Sequence, residues 1–132
     1  MAQNYLTTPI WRDREVRFDS VLKHLDCHPG EKIIDTLGEV EDTKGNNGER
    51  GRIVVTNLRI IWYSQRRPKT NLSVGFDCVI TITVRTVESR LRGRAQALYV
   101  LTRHNGTRYE FIFTNLVPES PRLFTTVQSV HR

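Results

Sequence analysis

Short apolar runs, several with a period of two and all broken by turn-forming residues, mark the chain from Glu31 to Phe113. The first predicted strand covers Glu31–Glu41, with Ile33, Ile34, Leu37 and Val40 as its apolar content and Gly38 as a bulge. Thr43–Glu49 contains Gly45, Asn46, Asn47 and Gly48 and reads as a loop. Arg52–Thr56 and Arg59–Ser64 follow as two strands with a tight reversal at Asn57-Leu58. Gln65–Asn71 is a basic loop broken by Pro68, and Leu72–Phe76 is a short strand. Ile80–Val87 sets Ile80, Ile82 and Val84 on one face and Thr81, Thr83 and Arg85 on the other, the pattern of a half-buried strand. Ala95–Arg103 and Arg108–Phe113 flank Asn105-Gly106, a pair suited to a two-residue hairpin turn because both residues accept positive φ. In the second arm Tyr109, Phe111 and Phe113 share a face.

The period then changes. Ser120 is placed to cap, Pro121 suits the first helical position, and Leu123, Val127 and Val130 recur at helical spacing, so a helix closes the domain. Seven antiparallel strands followed by one helix predict a mainly β fold, a small sandwich or partly open barrel capped by its C-terminal helix. Thirteen Val, nine Ile and fourteen Thr against three Ala agree with strands over helices. Residues 1–30 read as an N-terminal extension packing on the 31–132 domain, with Phe18, Val21, Leu22 and Leu25 at helical spacing and Pro29-Gly30 at its end. In that stretch Asp13, Glu15 and Asp19 alternate with Arg12, Arg14 and Arg17, as on a salt-bridged surface. No glycine cap follows the last helix, which predicts a longer parent chain.

At 132 residues this is one domain. Its longest unbroken apolar stretch, Ala97–Leu101, falls far short of the roughly 20 residues of a spanning helix. No charged-then-apolar leader opens it, so a cytoplasmic protein is expected. Cys27 and Cys78 make no disulfide framework; His24, Cys27 and His28 cluster without a distant fourth ligand, so no metal is expected. Phosphate-binding loops, nucleophile elbows and metalloprotease motifs are missing, and the expectation is a non-enzyme without a cofactor.

Charge sharpens this. The net +6 is uneven: six acidic residues within 31–49 face only Lys32 and Lys44, whereas 50–108 holds twelve basic residues against Asp77 and Glu88. Such asymmetry points to an anionic partner, although a solvated Arg-rich surface accounts for it equally well. Three clusters stand out: Lys44, Arg50 and Arg52; Arg66, Arg67 and Lys69; and Arg90, Arg92 and Arg94, whose spacing puts all three on one side of an extended chain. Glu41, Asp42 and Glu49 flank the first cluster and would repel phosphate. Trp62, Tyr99, Phe111 and Phe113 lie inside apolar runs and read as core, which argues against nucleic acid.

The order of elements resembles a pleckstrin-homology (PH) domain, and Gly51–Ser64 resembles the second and third strands of its GRAM and GLUE branches. Three pieces, Trp11–Asp19, Glu41–Gly48 and Glu110–Pro118, are similar to the N-terminal PH domain of the Bardet–Biedl syndrome family that contributes a subunit to the BBSome coat. The resemblance implies a parent with a second similar domain, held among other BBSome subunits in a complex that moves membrane proteins into and out of cilia. It also implies recruitment by an Arf-like GTPase, binding of phosphoinositides or phosphatidic acid, and a place in the cytoplasm, cilium, basal body and ciliary membrane. Lipid-binding PH domains carry Lys, then basic-x-Arg, across their first hairpin, and Lys44, Arg50 and Arg52 match that order. Arg50 and Arg52 would fork phosphate oxygens, with Lys44 as a point charge and Arg66, Arg67 and Lys69 on the same rim. Arg90, Arg92 and Arg94 are assigned to a partner subunit. The competing expectation is an assembly domain with no working lipid site.

Overall fold

The computed structural model describes residues 12–45, 48–117 and 122–131. All seven predicted strands form, and an eighth precedes them. In chain order they are β1 (Val16–Phe18), β2 (Ile33–Asp42), β3 (Glu49–Thr56), β4 (Arg59–Ser64), β5 (Asn71–Gly75), β6 (Val79–Ser89), β7 (Gly93–His104) and β8 (Thr107–Asn115); helix α1 (Arg122–His131) follows. The predicted caps of that helix, Ser120 and Pro121, lie outside the described residues, as do Trp11, Asn46 and Asn47.

The strands make one antiparallel sheet in the order β1-β5-β4-β3-β2-β8-β7-β6. It folds over on itself, because inward residues of β3–β5 (Ile53, Val55, Ile60, Trp62, Leu72, Val74) and of β7–β8 (Leu98, Val100, Phe111, Phe113) join a single core cluster. Leu123 and Val127 of α1 complete that core, and Arg122 ties the helix to β2 through Asp35 at 2.8 Å. Trp62, fully buried, donates its ring N–H to the Val40 carbonyl at 3.0 Å and so pins β4 to β2. The bulge expected at Gly38 lies between Leu37 and Val40, where Glu39 takes a φ of 57°. Asn105 and Gly106 have φ of 53° and 77°, the left-handed pair that a tight right-twisted hairpin needs.

Two apolar patterns differ from expectation. Ile82 packs against the core, but Ile80 and Val84 are exposed. Among the described residues β6 is an edge strand, and a register shift follows Val79. In the N-terminal stretch Leu22–Leu25 forms one 3-10 turn with no buried residue, and Phe18, Val21 and Leu22 stay exposed. Val16 joins the core and Phe18 rests against Tyr109 and Phe111, and polar contacts hold the rest of the stretch. Asp13 is buried, accepting the Glu15 N–H and Arg17, while Arg12 and Arg14 pair with Asp77. Burial pushes the Asp13 carboxyl above its ordinary range, against the lowering effect of the Glu15 N–H and Arg17.

Candidate functional site

Strand alternation directs Ile53 and Val55 into the core and leaves Arg50 and Arg52 exposed on the other side of β3. Gly51 between them faces inward, where an added Cβ would lie 2.5 Å from the Trp62 ring, so close packing accounts for this glycine. Arg50 pairs with Glu39 at 2.8 Å. Lys44, on the β2–β3 turn, reaches Glu110 of β8 at 3.4 Å. The Tyr99 hydroxyl and Lys44 together hold the Glu110 carboxyl below its ordinary range. Arg52 carries no ion pair among the described residues and borders a depression of about 230 Å³ with Gly38, Tyr63 and Gln65.

The second cluster occupies the β4–β5 loop. Arg67 binds Glu49 at 2.6 Å, whereas Arg66 and Lys69 are exposed and unpaired among the described residues. Gln65 donates its backbone N–H to the Arg50 carbonyl at 3.1 Å, which fastens this loop beside β3.

The third cluster departs from the extended stripe expected for it. Arg90 to Arg92 form the tight turn between β6 and β7, so the three arginines do not share one extended stretch. The Arg90 stem lies on Gly48, where an added Cβ would come within 2.6 Å. Arg92 donates to the Asn115 carbonyl at 3.0 Å, and Arg94 sits on β7 opposite Glu88. This turn therefore touches the β2–β3 loop. Gly48, Glu49 and Arg50, Gln65 and Arg66, and Leu91 together line one depression of about 320 Å³, which shares Gln65 with the Arg52 depression.

The neighbouring carboxylates also differ from expectation. Glu41 and Asp42 are fully buried, and their carboxylates accept hydrogen bonds within the domain. Glu41 accepts from the Thr43 hydroxyl, from the Ser89 hydroxyl at 3.0 Å and from the Leu91 N–H at 2.8 Å, so it holds the β6–β7 turn against the β2–β3 loop. Asp42 accepts the Gly45 N–H at 3.0 Å and closes its own turn. Glu49 takes the Ser64 hydroxyl as well as Arg67. These acids build the rim from beneath. A glutamate beside Asp42 in sequence carries no sign of a partner 48 residues away, so only the fold reveals this role.

Strands, capping helix and basic rim define a protein of the PH-domain class. The fold is similar to the "Vps36 N-terminal PH domain", with a TM-score of 0.59 and 22% identity over 80% of each chain. It is also similar to "the hSac2 domain from human phosphoinositide phosphatase Sac2", with a TM-score of 0.59 and 10% identity over 79% of this chain and 70% of that one. Residues 31–132 match the family described as "Bardet-Biedl syndrome 5 protein N-terminal PH-like domain", and the chain belongs to that family. Among relatives named BBSome complex member BBS5, the Danio rerio protein is 61% identical and the Homo sapiens protein 58% identical over 123 residues. A Caenorhabditis elegans relative, BBSome complex member bbs-5, is 42% identical over 130 residues. Each of these matches covers 93% of this chain but only 36% of the relative, so the chain spans about a third of their length. The family is of an adaptor type and not a catalytic one.

Proposed function

We propose that this domain is part of a BBSome-type coat subunit and presents its basic rim to acidic phospholipid headgroups, phosphoinositide or phosphatidic acid, during ciliary membrane-protein transport. The observation that carries the reading is the convergence of three loops, which brings Arg50, Arg66 and the Arg90 turn around one depression with Arg52 beside it. Arg52, Arg66 and Lys69 offer their charges directly. Lys44, Arg50 and Arg67 exchange a carboxylate for a phosphate on binding. Arginine forks suit phosphate oxygens, and each basic group near an anionic surface contributes about 1 kcal/mol. An Arf-like GTPase acting on the complex, in this reading, brings the rim to the membrane.

One observation favours a second reading, an assembly domain within the complex. Lys44, Arg50 and Arg67 already hold Glu110, Glu39 and Glu49. A titration of backbone amide shifts with soluble inositol phosphates at physiological salt separates the two. Saturable shifts centred on Lys44–Arg52 and Gln65–Thr70, lost when Arg50 and Arg52 are both changed to Ala, support the lipid reading. Weak shifts over every arginine that fade with salt leave assembly as the function.

A further inference from the structure

Beside the basic rim stands an exposed apolar corner. Val21 and Leu22 are 61% and 47% exposed and follow β1, which pairs with β5, whereas Phe18, half-exposed, already rests against Tyr109 and Phe111 of β8. A buried side chain fixes the corner in place. Asn71, 1% exposed, accepts the Ser20 N–H at 2.9 Å and donates to the Ser20 carbonyl at 2.9 Å and the Pro68 carbonyl at 3.0 Å. Asp19, in a left-handed conformation at φ 50°, accepts the Asn71 backbone N–H on its carboxylate at 3.2 Å. Val21 and Leu22 are thus bolted next to Pro68 and Lys69. Leu22, Arg67, Pro68, Lys69 and Thr70 line a mainly apolar hollow of about 480 Å³. The β4–β5 loop consequently has two flanks, with Gln65 and Arg66 turned to the phosphate-sized depression and Arg67 to Thr70 turned to the aliphatic corner.

We propose that Val21 and Leu22, beside Pro68, insert into the headgroup–acyl boundary of an anionic membrane while the adjoining basic loop holds its phosphates. The inference rests on the lipid reading above and assigns the membrane's apolar contact to this corner. Charge decides for a lipid surface: Arg67 and Lys69 line the hollow with Leu22, and exposed Lys23 follows Leu22 in the chain, an arrangement of basic and apolar groups that suits an acidic bilayer interface. Ile33 and Ile34, equally exposed at 57% and 51%, begin β2 between Lys32 and Asp35, where Ile33 pairs with Thr56 of β3, and serve as the exposed apolar control.

The test uses Cys27→Ser as background, because Cys27 is exposed and Cys78 buried. Leu22→Cys, or Ile34→Cys as control, is labelled with a polarity-sensitive dye and mixed with phosphatidylcholine vesicles with or without phosphatidic acid. Flotation of the unlabelled chain measures binding separately. The expected result is binding to the acidic vesicles, with a blue-shifted emission quenched by acyl-chain quenchers at position 22 and not at 34. Changing Val21 and Leu22 together to Gln is expected to lower vesicle affinity about tenfold and to leave a residual binding that salt abolishes. Binding without a blue shift at position 22 overturns the insertion and leaves the rim reading standing, with the corner free for a protein partner. A dye at 22 already shielded before vesicles are added also overturns it, since another part of the chain then covers the corner. No flotation at all overturns both.

Discussion

Arg59 and Glu31 form an ion pair at 2.8 Å with side chains 1% and 0% exposed, on the face of the sheet opposite the core. Arg59 alternates with the inward Ile60, so its guanidinium lies under the N-terminal segment, where it also donates to the His24 and Asp26 carbonyls and to Ser73. Glu31 completes the network by accepting the Thr56 hydroxyl and the His28 N–H. Removing one partner strands the other charge in a dry site, which costs about 3–5 kcal/mol. Arg59→Ala and Glu31→Gln are each expected to lose stability on that scale in urea unfolding, and the double variant less than the sum.

The same pair sets a pH dependence. Burial alone would raise the Glu31 carboxyl, but Arg59, the His28 N–H and Thr56 outweigh it and hold it below its ordinary value. A carboxylate lowered on folding contributes its full stability above the unfolded value, about 4.3, and loses it as pH falls through the folded value. Urea midpoints should therefore decline below about pH 5. In Glu31→Gln the decline should be shallower, and an unchanged acid limb would show that Glu31 is not its cause.

Much of this molecule was legible in its sequence, for local reasons. Asn105-Gly106 announces its hairpin because its conformation is intrinsic to the dipeptide, and the shared face of Tyr109, Phe111 and Phe113 turns to the core along its strand. Three basic clusters were visible as composition. Their convergence was not, since it depends on Glu41 reaching Ser89 and Leu91 and on Gly48 lying under Arg90. Nor did Arg59 differ in sequence from the other arginines of its region. Val21 and Leu22 misled in the opposite direction, because helical spacing signals burial only where a surface exists to receive it, as β8 receives Phe18.

Close packing at two glycines has separable consequences. A Cβ at Gly75 would come within 2.5 Å of the Asp13 carbonyl, and one at Gly51 equally near the Trp62 ring. Gly75 and Asp77 donate to the Glu15 and Asp13 carbonyls at 3.0 and 3.1 Å. Gly75→Ala is expected to release residues 12–18, with faster hydrogen exchange at Gly75, Asp77 and the β1 amides while β7 and β8 stay protected. Gly51→Ala strikes the core and should lower global stability by about 1–3 kcal/mol. Uniform loss of protection in both variants would contradict the distinction.

The two thiols differ in environment. Cys78 is buried in the 3-10 turn after β5, and burial, with Asp13 and Asp77 nearby, pushes its pKa up to about 11. Cys27 is exposed. Since the thiolate is the reactive form, alkylation at pH 8 should modify Cys27 alone until the protein unfolds. Mass spectrometry of the peptides checks this, and early labelling of Cys78 would show that the N-terminal segment opens readily.

The pair of Arg50 with Glu39 decides how strongly the rim acts on anions. Both side chains are about half exposed, 49% and 42%, so the contact is worth little to stability, yet its carboxylate cancels a charge that the lipid reading requires. Glu39→Gln keeps the size and the left-handed backbone burden of φ 57° while removing that carboxylate. At about 1 kcal/mol per charge near an acidic surface, binding to phosphatidic-acid vesicles should strengthen roughly fivefold. Arg50→Ala should weaken it to a similar degree. Combining the two separates Arg50 from the general field: if Arg50 binds phosphate itself, Glu39→Gln gains less in the Arg50→Ala background than alone. Equal gains in both backgrounds would reduce Glu39 to one unit of net charge and move the phosphate contact to Arg52 and Arg66.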